Sequence, residues 1–161
     1  MTVIRVDKDV DNLTLTVVAS FDAPIERVWQ LWADPRQLEG WWGPPTYPAT
    51  VQAHDLTPGG EVRYFMTGPD GGRSHGWWRV TSADPPRSLE FVDGFSDQDG
   101  TPRAEQPTTA VRVELTGHEG GTRMEMRSTF ASLEHMEQVV EIGAVEAFQM
   151  AVGQADALLA G

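Results

Sequence analysis

Apolar and polar residues alternate through much of the chain, and the places where the alternation stops divide it into elements. Leu13, Leu15 and Val17 alternate with Thr14 and Thr16, the period of a strand that runs to Phe21. Asp22 then precedes Ala23-Pro24-Ile25-Glu26, where an acidic cap, an early proline and an early glutamate predict a helix start. Ile25, Val28 and Trp32 follow at helical spacing with Trp29 beside them, and Asp34-Pro35 ends or kinks this helix. A polar turn over 36–39 leads into Gly40-Trp41-Trp42-Gly43-Pro44-Pro45, expected to be a loop carrying two large apolar side chains.

From 49 to 130 the pattern predicts a meander of strands. Val62, Tyr64 and Met66 alternate with Glu61, Arg63 and Phe65, between turns at Pro58-Gly59-Gly60 and Gly68-Pro69-Asp70-Gly71-Gly72. A strand over 75–81 is broken by Asp84-Pro85-Pro86, and Leu89 and Phe91 mark the next. A polar loop over 97–107 follows. Val111, Val113 and Leu115 then alternate with Arg112 and Glu114, and after a turn at 117–121 Met124, Met126 and Ser128 alternate with Arg123, Glu125 and Arg127. One apolar and one charged face per strand describe an antiparallel sheet solvated on one side. Ser132 is an N-cap with Glu134 and Glu137 after it, and no proline occurs from there to Ala160, so a helix of roughly 25 residues is expected. Its stripe is Met136, Val140, Ala144, Ala147, Ala151, Ala155 and Leu158. A long sheet with one apolar face needs a cover, and this helix is the element long enough to supply it. The expected fold class is α+β: a curved antiparallel β-sheet wrapped around a long C-terminal α-helix, with a shorter helix after the first strand. All 161 residues are assigned to one domain.

Composition narrows the functions. Net charge is −12, with no basic stripe, which argues against a nucleic-acid partner. The absence of cysteine removes disulfides, thiolate metal sites and a cysteine nucleophile. No signal-like N-terminus and no apolar run of membrane-spanning length occurs, so a cytoplasmic protein with no membrane partner is the default expectation.

Particular words along the chain carry a family resemblance. They are Ala23-Pro24-Ile25-Glu26-Arg27-Val28-Trp29, Trp41-Trp42-Gly43-Pro44, Asp55-Leu56-Thr57-Pro58-Gly59-Gly60, Asp84-Pro85-Pro86-Arg87-Ser88-Leu89-Glu90-Phe91 and Gly121-Thr122-Arg123-Met124. In this order the chain resembles the START-like superfamily, also called SRPBCC or helix-grip. The branch it is most similar to is that of the C-terminal domain of the heat-shock ATPase activator homologue. The resemblance implies a sheet gripping the C-terminal helix around an apolar cavity. Members include lipid carriers, hormone receptors, and polyketide cyclases and aromatases.

The candidate chemistry is sparse. His54, His75, His118 and His135 show no metal-ligand spacing, and Asp97 and Asp99 lack the pattern of a calcium loop. Gly59-Gly60 and Gly71-Gly72 are followed by strands rather than helix N-termini, so no phosphate loop or cofactor is expected. Glu90 and Glu114 should point outward, Asp55 should stabilise a turn, and Ser74-His75 fall on opposite faces of a strand. Trp78 is assigned inward and Trp77 outward, where Arg79 or a second subunit would cover it, making a homodimer an expectation to test. The helix carries alanines where a core helix usually carries leucine, while the inward strand residues are large. With the helix-grip resemblance, the expected ligand-binding residues are Trp32, Trp42, Tyr64, Met66, Trp78, Phe91, Val113, Met124, Met126, Ala147, Phe148 and Ala151. The expected partner is a small apolar or aromatic molecule, with no catalytic residue evident. A cyclase- or aromatase-like enzyme and a chaperone-associated interaction module are the alternatives. The inward positions offer Tyr64 and Ser128 for chemistry, but no acid or base.

Overall fold

The computed structural model describes residues 3–99, 101–103, 107–141 and 143–160. Eight strands form one antiparallel sheet: β1 (Val3–Asp9), β2 (Thr14–Phe21), β3 (Ala49–His54), β4 (Glu61–Thr67), β5 (Arg73–Asp84), β6 (Ser88–Phe95), β7 (Thr109–His118) and β8 (Gly121–Phe130). The order across the sheet is β1-β2-β8-β7-β6-β5-β4-β3. Hairpins join β3 through β8 in sequence, and β2 closes against β8, with Val17 opposite Met126 and Ala19 opposite Met124. Register shifts at Val51/Ala53 and Val80/Ser82 bend β3 and β5, since a bulge kinks a strand and increases its twist. The result is the expected α+β helix-grip architecture. β1 is an addition to it: its sequence, polar at Arg5, Asp7, Lys8 and Asp9, carries too little alternation to announce an edge strand.

Between β2 and β3 lie two short helices, α1 (Ile25–Ala33) and α2 (Pro35–Trp41). Asp34-Pro35 stops α1 and also starts α2. The Asp34 carboxylate accepts from the Arg36 amide at 2.9 Å, and Pro35 occupies the first turn, where its missing N–H costs nothing. The turn expected over 36–39 is therefore helical, and Gly40 and Trp41 belong to the same helix. Asp22 does not cap α1; Pro24 holds that position with no side-chain cap.

The C-terminal helix is divided into α3 (Leu133–Glu141) and α4 (Ala144–Ala160). Gly143 stands at the break with φ +84°, a backbone conformation that glycine adopts readily. Ser132 caps α3 as expected, accepting from the His135 amide at 3.1 Å. The break also divides the apolar stripe. Met136 joins Leu15 and Phe130 in a small separate cluster, whereas Ala151, Val152 and Ala155 enter the main core. The Ala144 side chain lies outside the described residues, as do Gly100 and residues 104–106 of the expected 97–107 loop.

The main core fills the space between the sheet's inner face and α1, α2 and α4. The α4 backbone runs nearest α2, with α3 and α1 next, and stands farther from the strands. Gln154 on α4 donates to the Gly43 carbonyl at 2.6 Å, and Arg27 on α1 donates to the Leu158 carbonyl at 3.0 Å. Those bonds fix α4 to the helical layer, so large side chains from the sheet span the gap beneath it.

Candidate functional site

The gap is walled by aromatic rings from six elements. Trp32 of α1 lies 4.9 Å from Trp41 and 5.7 Å from Trp42, centroid to centroid. Trp42 meets Trp78 of β5 edge-on at 4.8 Å, and Trp78 stacks on Phe91 of β6 at 4.0 Å. Tyr64 of β4 lies 6.2 Å from both Trp42 and Trp78, and Phe148 of α4 reaches Trp41 at 6.5 Å. Edge-on and offset contacts of this kind suit the ring quadrupoles and add to area burial.

Strand pleat brings the wall together. Tyr64, Trp78 and Phe91 occupy inward positions on three neighbouring strands, and Val113, Met124 and Met126 continue the surface on β7 and β8. Of the twelve residues expected around a ligand, Trp32, Tyr64, Trp78, Phe91, Val113, Met124, Met126 and Ala151 are buried in this cluster. Trp42, Met66 and Phe148 are half-buried and packed against it. Ala147 is half-exposed and is not part of it. The inward face of α4 is made by Phe148, Ala151, Val152 and Ala155, which leaves Ala147 at its margin.

The polar end of this interior centres on Asp93, which is not among the residues expected there from the sequence. Asp93 follows Leu89 and Phe91 at period two on β6, so the same alternation that buries those two turns its carboxyl inward. The Tyr64 hydroxyl donates to Asp93 Oδ1 at 3.2 Å. Tyr64 and Asp93 sit on strands two apart in the sheet, roughly 10 Å, and Gly76 of β5 lies between them. A Cβ on Gly76 would stand 2.5 Å from Tyr64 Cζ and 2.6 Å from its hydroxyl oxygen. The glycine therefore lets the tyrosine ring lie across β5 and reach β6.

Burial pushes the Asp93 carboxyl up to about 7, against which the Tyr64 hydrogen bond and the Gly94 amide pull only partly. Burial raises Tyr64 as well, followed by the nearby Asp93 charge. The indole N–H groups of Trp42 and Trp78 lie close enough to the Tyr64 oxygen to favour its charged form. Neither is aligned for a hydrogen bond, and both are buried without a partner, as is the indole N–H of Trp32. Trp41 differs, donating to the Leu31 carbonyl at 2.8 Å. Leaving a buried donor unpaired costs about 1–3 kcal/mol. Three such donors in one aromatic cluster mark a place where an acceptor is wanted.

The remaining candidates fall outside this interior. Trp77 lies on the outer face over Gly94, donates to the Phe95 carbonyl at 2.9 Å and has the Arg79 guanidinium 5.9 Å from its ring. Its own chain thus covers much of it. Glu90 and Glu114 pair outside with Arg112. Asp55 caps its turn through the Thr57 amide. The hollows on the outer face are lined by residues such as Arg112, Glu114, Glu125 and Arg127, whose solvated ion pairs hold no buried, unpaired group. His135 is buried against Phe130, and burial lowers its basicity. Among the described residues no group of three His, Cys, Asp or Glu side chains is placed to hold a metal, and no helix is long and apolar enough to cross a membrane.

A sheet closed over a C-terminal helix with an aromatic interior between them defines a START-like, or SRPBCC, domain. Within that class the chain belongs to the family described as Activator of Hsp90 ATPase homolog 1-like protein, whose model matches residues 22–159. A Mycobacterium smegmatis protein solved by crystallography is 50% identical, with 98% of this chain and 96% of that one covered and a TM-score of 0.90. An Arthrobacter aurescens protein solved by solution NMR is also 50% identical, over 99% and 92% of the two chains, with a TM-score of 0.93. A protein of the dynemicin biosynthetic locus, DynU16, shares the fold at 22% identity and a TM-score of 0.67, with 91% of this chain matching 47% of that one. No curated protein matches the chain.

Proposed function

We propose that the protein binds a small, largely aromatic molecule between the sheet and α4. The observation that carries this reading is the cluster of Trp32, Trp42, Tyr64, Trp78 and Phe91, which combines aromatic walls with indole donors that find no partner in the protein. Ligand sites are mostly apolar with a few convergent polar groups, and this interior has that composition. The rings are packed against one another, so entry requires one to give way. Trp42 is placed to do so: it lies past the last turn of α2 and is only half-buried. On β6, Phe95 stands one inward position beyond Asp93 and is 52% exposed, which places solvent beside the polar end. Titration with naphthalene derivatives, followed by calorimetry and tryptophan emission, tests the reading. Saturable 1:1 binding supports it, and no saturable binding across the series overturns it.

A second reading, an enzyme of the cyclase or aromatase type, gains from Asp93. A carboxyl with a pKa near neutrality beside a tyrosine hydroxyl can take up or give back a proton at working pH. Turnover of an enolisable aromatic ketone that is lost in Asp93→Asn would favour this reading over simple carriage.

A further inference from the structure

We infer that Tyr64, Asp93 and the indole N–H groups of Trp42 and Trp78 form an oxygen-binding subsite for a neutral aromatic ketone. The inference rests on the proposed binding function and specifies the ligand's chemistry. Four features select it. The unpaired groups are donors: the indole nitrogens of Trp42 and Trp78 are buried without an acceptor and gather at the Tyr64 oxygen. A ligand must therefore bring an acceptor, because a donor would leave them as they are. The surroundings reject an anion. Among the described residues no Lys or Arg is buried, Asp93 lies within hydrogen-bond distance of the Tyr64 hydroxyl, and the chain carries net charge −12. A carboxylate or phosphate placed there would lose its hydration and gain no counter-charge. The rings around the subsite give an aromatic framework faces and edges to pack on, with Trp78 stacked on Phe91 and edge-on to Trp42. Finally, the arrangement is constructed: Gly76 has no side chain where one would push Tyr64 off Asp93.

The Tyr64 hydroxyl is held by Asp93, and the indole N–H groups of Trp42 and Trp78 lie near its oxygen without a bond to it. A ketone oxygen entering there would accept from an indole N–H, and from the Asp93 carboxyl in its protonated form. An alkene of the same shape would fill the same space and leave every donor unpaired.

The test compares three probes of one size on the full chain: 2-acetonaphthone, 2-isopropenylnaphthalene and 2-naphthoate. Calorimetric titration at pH 6 is expected to give the ketone about tenfold tighter binding than the alkene, the ratio that one neutral hydrogen bond supplies, and the carboxylate weaker binding than either. In Trp42→Phe, which removes one of the unpaired indole donors and keeps an aromatic ring, the ratio of ketone to alkene affinity should fall several-fold. This comparison is made after circular dichroism shows a native spectrum, and the wild-type ratio stands whether or not the variant folds. Equal affinity for ketone and alkene would overturn the subsite and leave the proposed function intact. Preference for the carboxylate would overturn it in favour of an anion site. No binding of any probe would overturn both.

Discussion

Replacing Asp93 by Asn should make the protein more stable at alkaline pH and change little at acid pH. The side chains have the same shape, and Asn keeps an oxygen to accept from the Tyr64 hydroxyl. Only the titration is removed. Burial raises the Asp93 carboxyl from an ordinary 3.8 to about 7 in the folded protein. Between those values the folded chain holds a proton that the unfolded chain has released, so stability falls as pH rises through this window and levels off above it. Three pKa units at 1.36 kcal/mol each give a loss of about 4 kcal/mol by pH 8. Asp93→Asn should be within about 1 kcal/mol of wild type near pH 4 and up to about 4 kcal/mol more stable at pH 8, roughly 8–16 °C in melting temperature for a domain of this size. Other groups titrate too. Burial lowers His135, which adds stability as pH rises toward its ordinary 6.5, and hydrogen bonds lower Asp9, Asp34, Asp55 and Asp99 from 3.8, which matters only below the window. Those contributions are shared by both proteins and cancel in the difference. Urea unfolding followed by circular dichroism at pH 4.5, 6, 7 and 8 gives that difference directly. Parallel stability curves for the two proteins would refute a protonated Asp93 in the folded protein.

Gly76→Ala should cost about 1–3 kcal/mol in urea unfolding because its methyl group would meet the Tyr64 ring at 2.5 Å, whereas Gly117→Ala, with nothing within 4 Å, should be neutral; equal effects would mean that the Tyr64 ring does not depend on the gap at Gly76. Ala151→Trp, at a position with no exposure in the core, should abolish binding of 2-acetonaphthone, while Ala147→Trp on the half-exposed side of α4 should leave it unchanged; the reverse order in calorimetry would place the ligand elsewhere.

Strand period carried most of the fold. Alternation places Tyr64, Trp78, Phe91, Val113, Met124 and Met126 inward, and all but Met66 of the expected strand residues are buried. Helix period was less informative at the C-terminus. A continuous stripe runs from Met136 to Leu158 only if the helix is unbroken, and Gly143 lets the chain turn there, so Met136 joins a separate cluster while Ala151 and Ala155 enter the main core. The same alternation contained Asp93 as well. Leu89, Phe91 and Asp93 share one parity, but a charged residue near the end of a strand reads as the start of a loop unless its environment is known. Neither the Tyr64 contact nor the gap at Gly76 is local in sequence; both arise only when β4, β5 and β6 pair in register. Asp34-Pro35 was ambiguous for a different reason, since a proline that stops one helix is equally suited to begin the next.

A ligand bound at the Tyr64–Asp93 end of the interior would sit against the indole N–H groups of Trp42 and Trp78. Indole N–H resonances in a nitrogen-15 correlation spectrum report on each tryptophan separately, and the chain has six of them. Titration with 2-acetonaphthone should shift the Trp42 and Trp78 signals saturably and most strongly, with downfield movement as those donors gain an acceptor. Trp77, bonded to the Phe95 carbonyl on the outer face, should stay in place. Shifts confined to Trp77, or no saturable shift of any indole, would mean that no ligand binds in this interior.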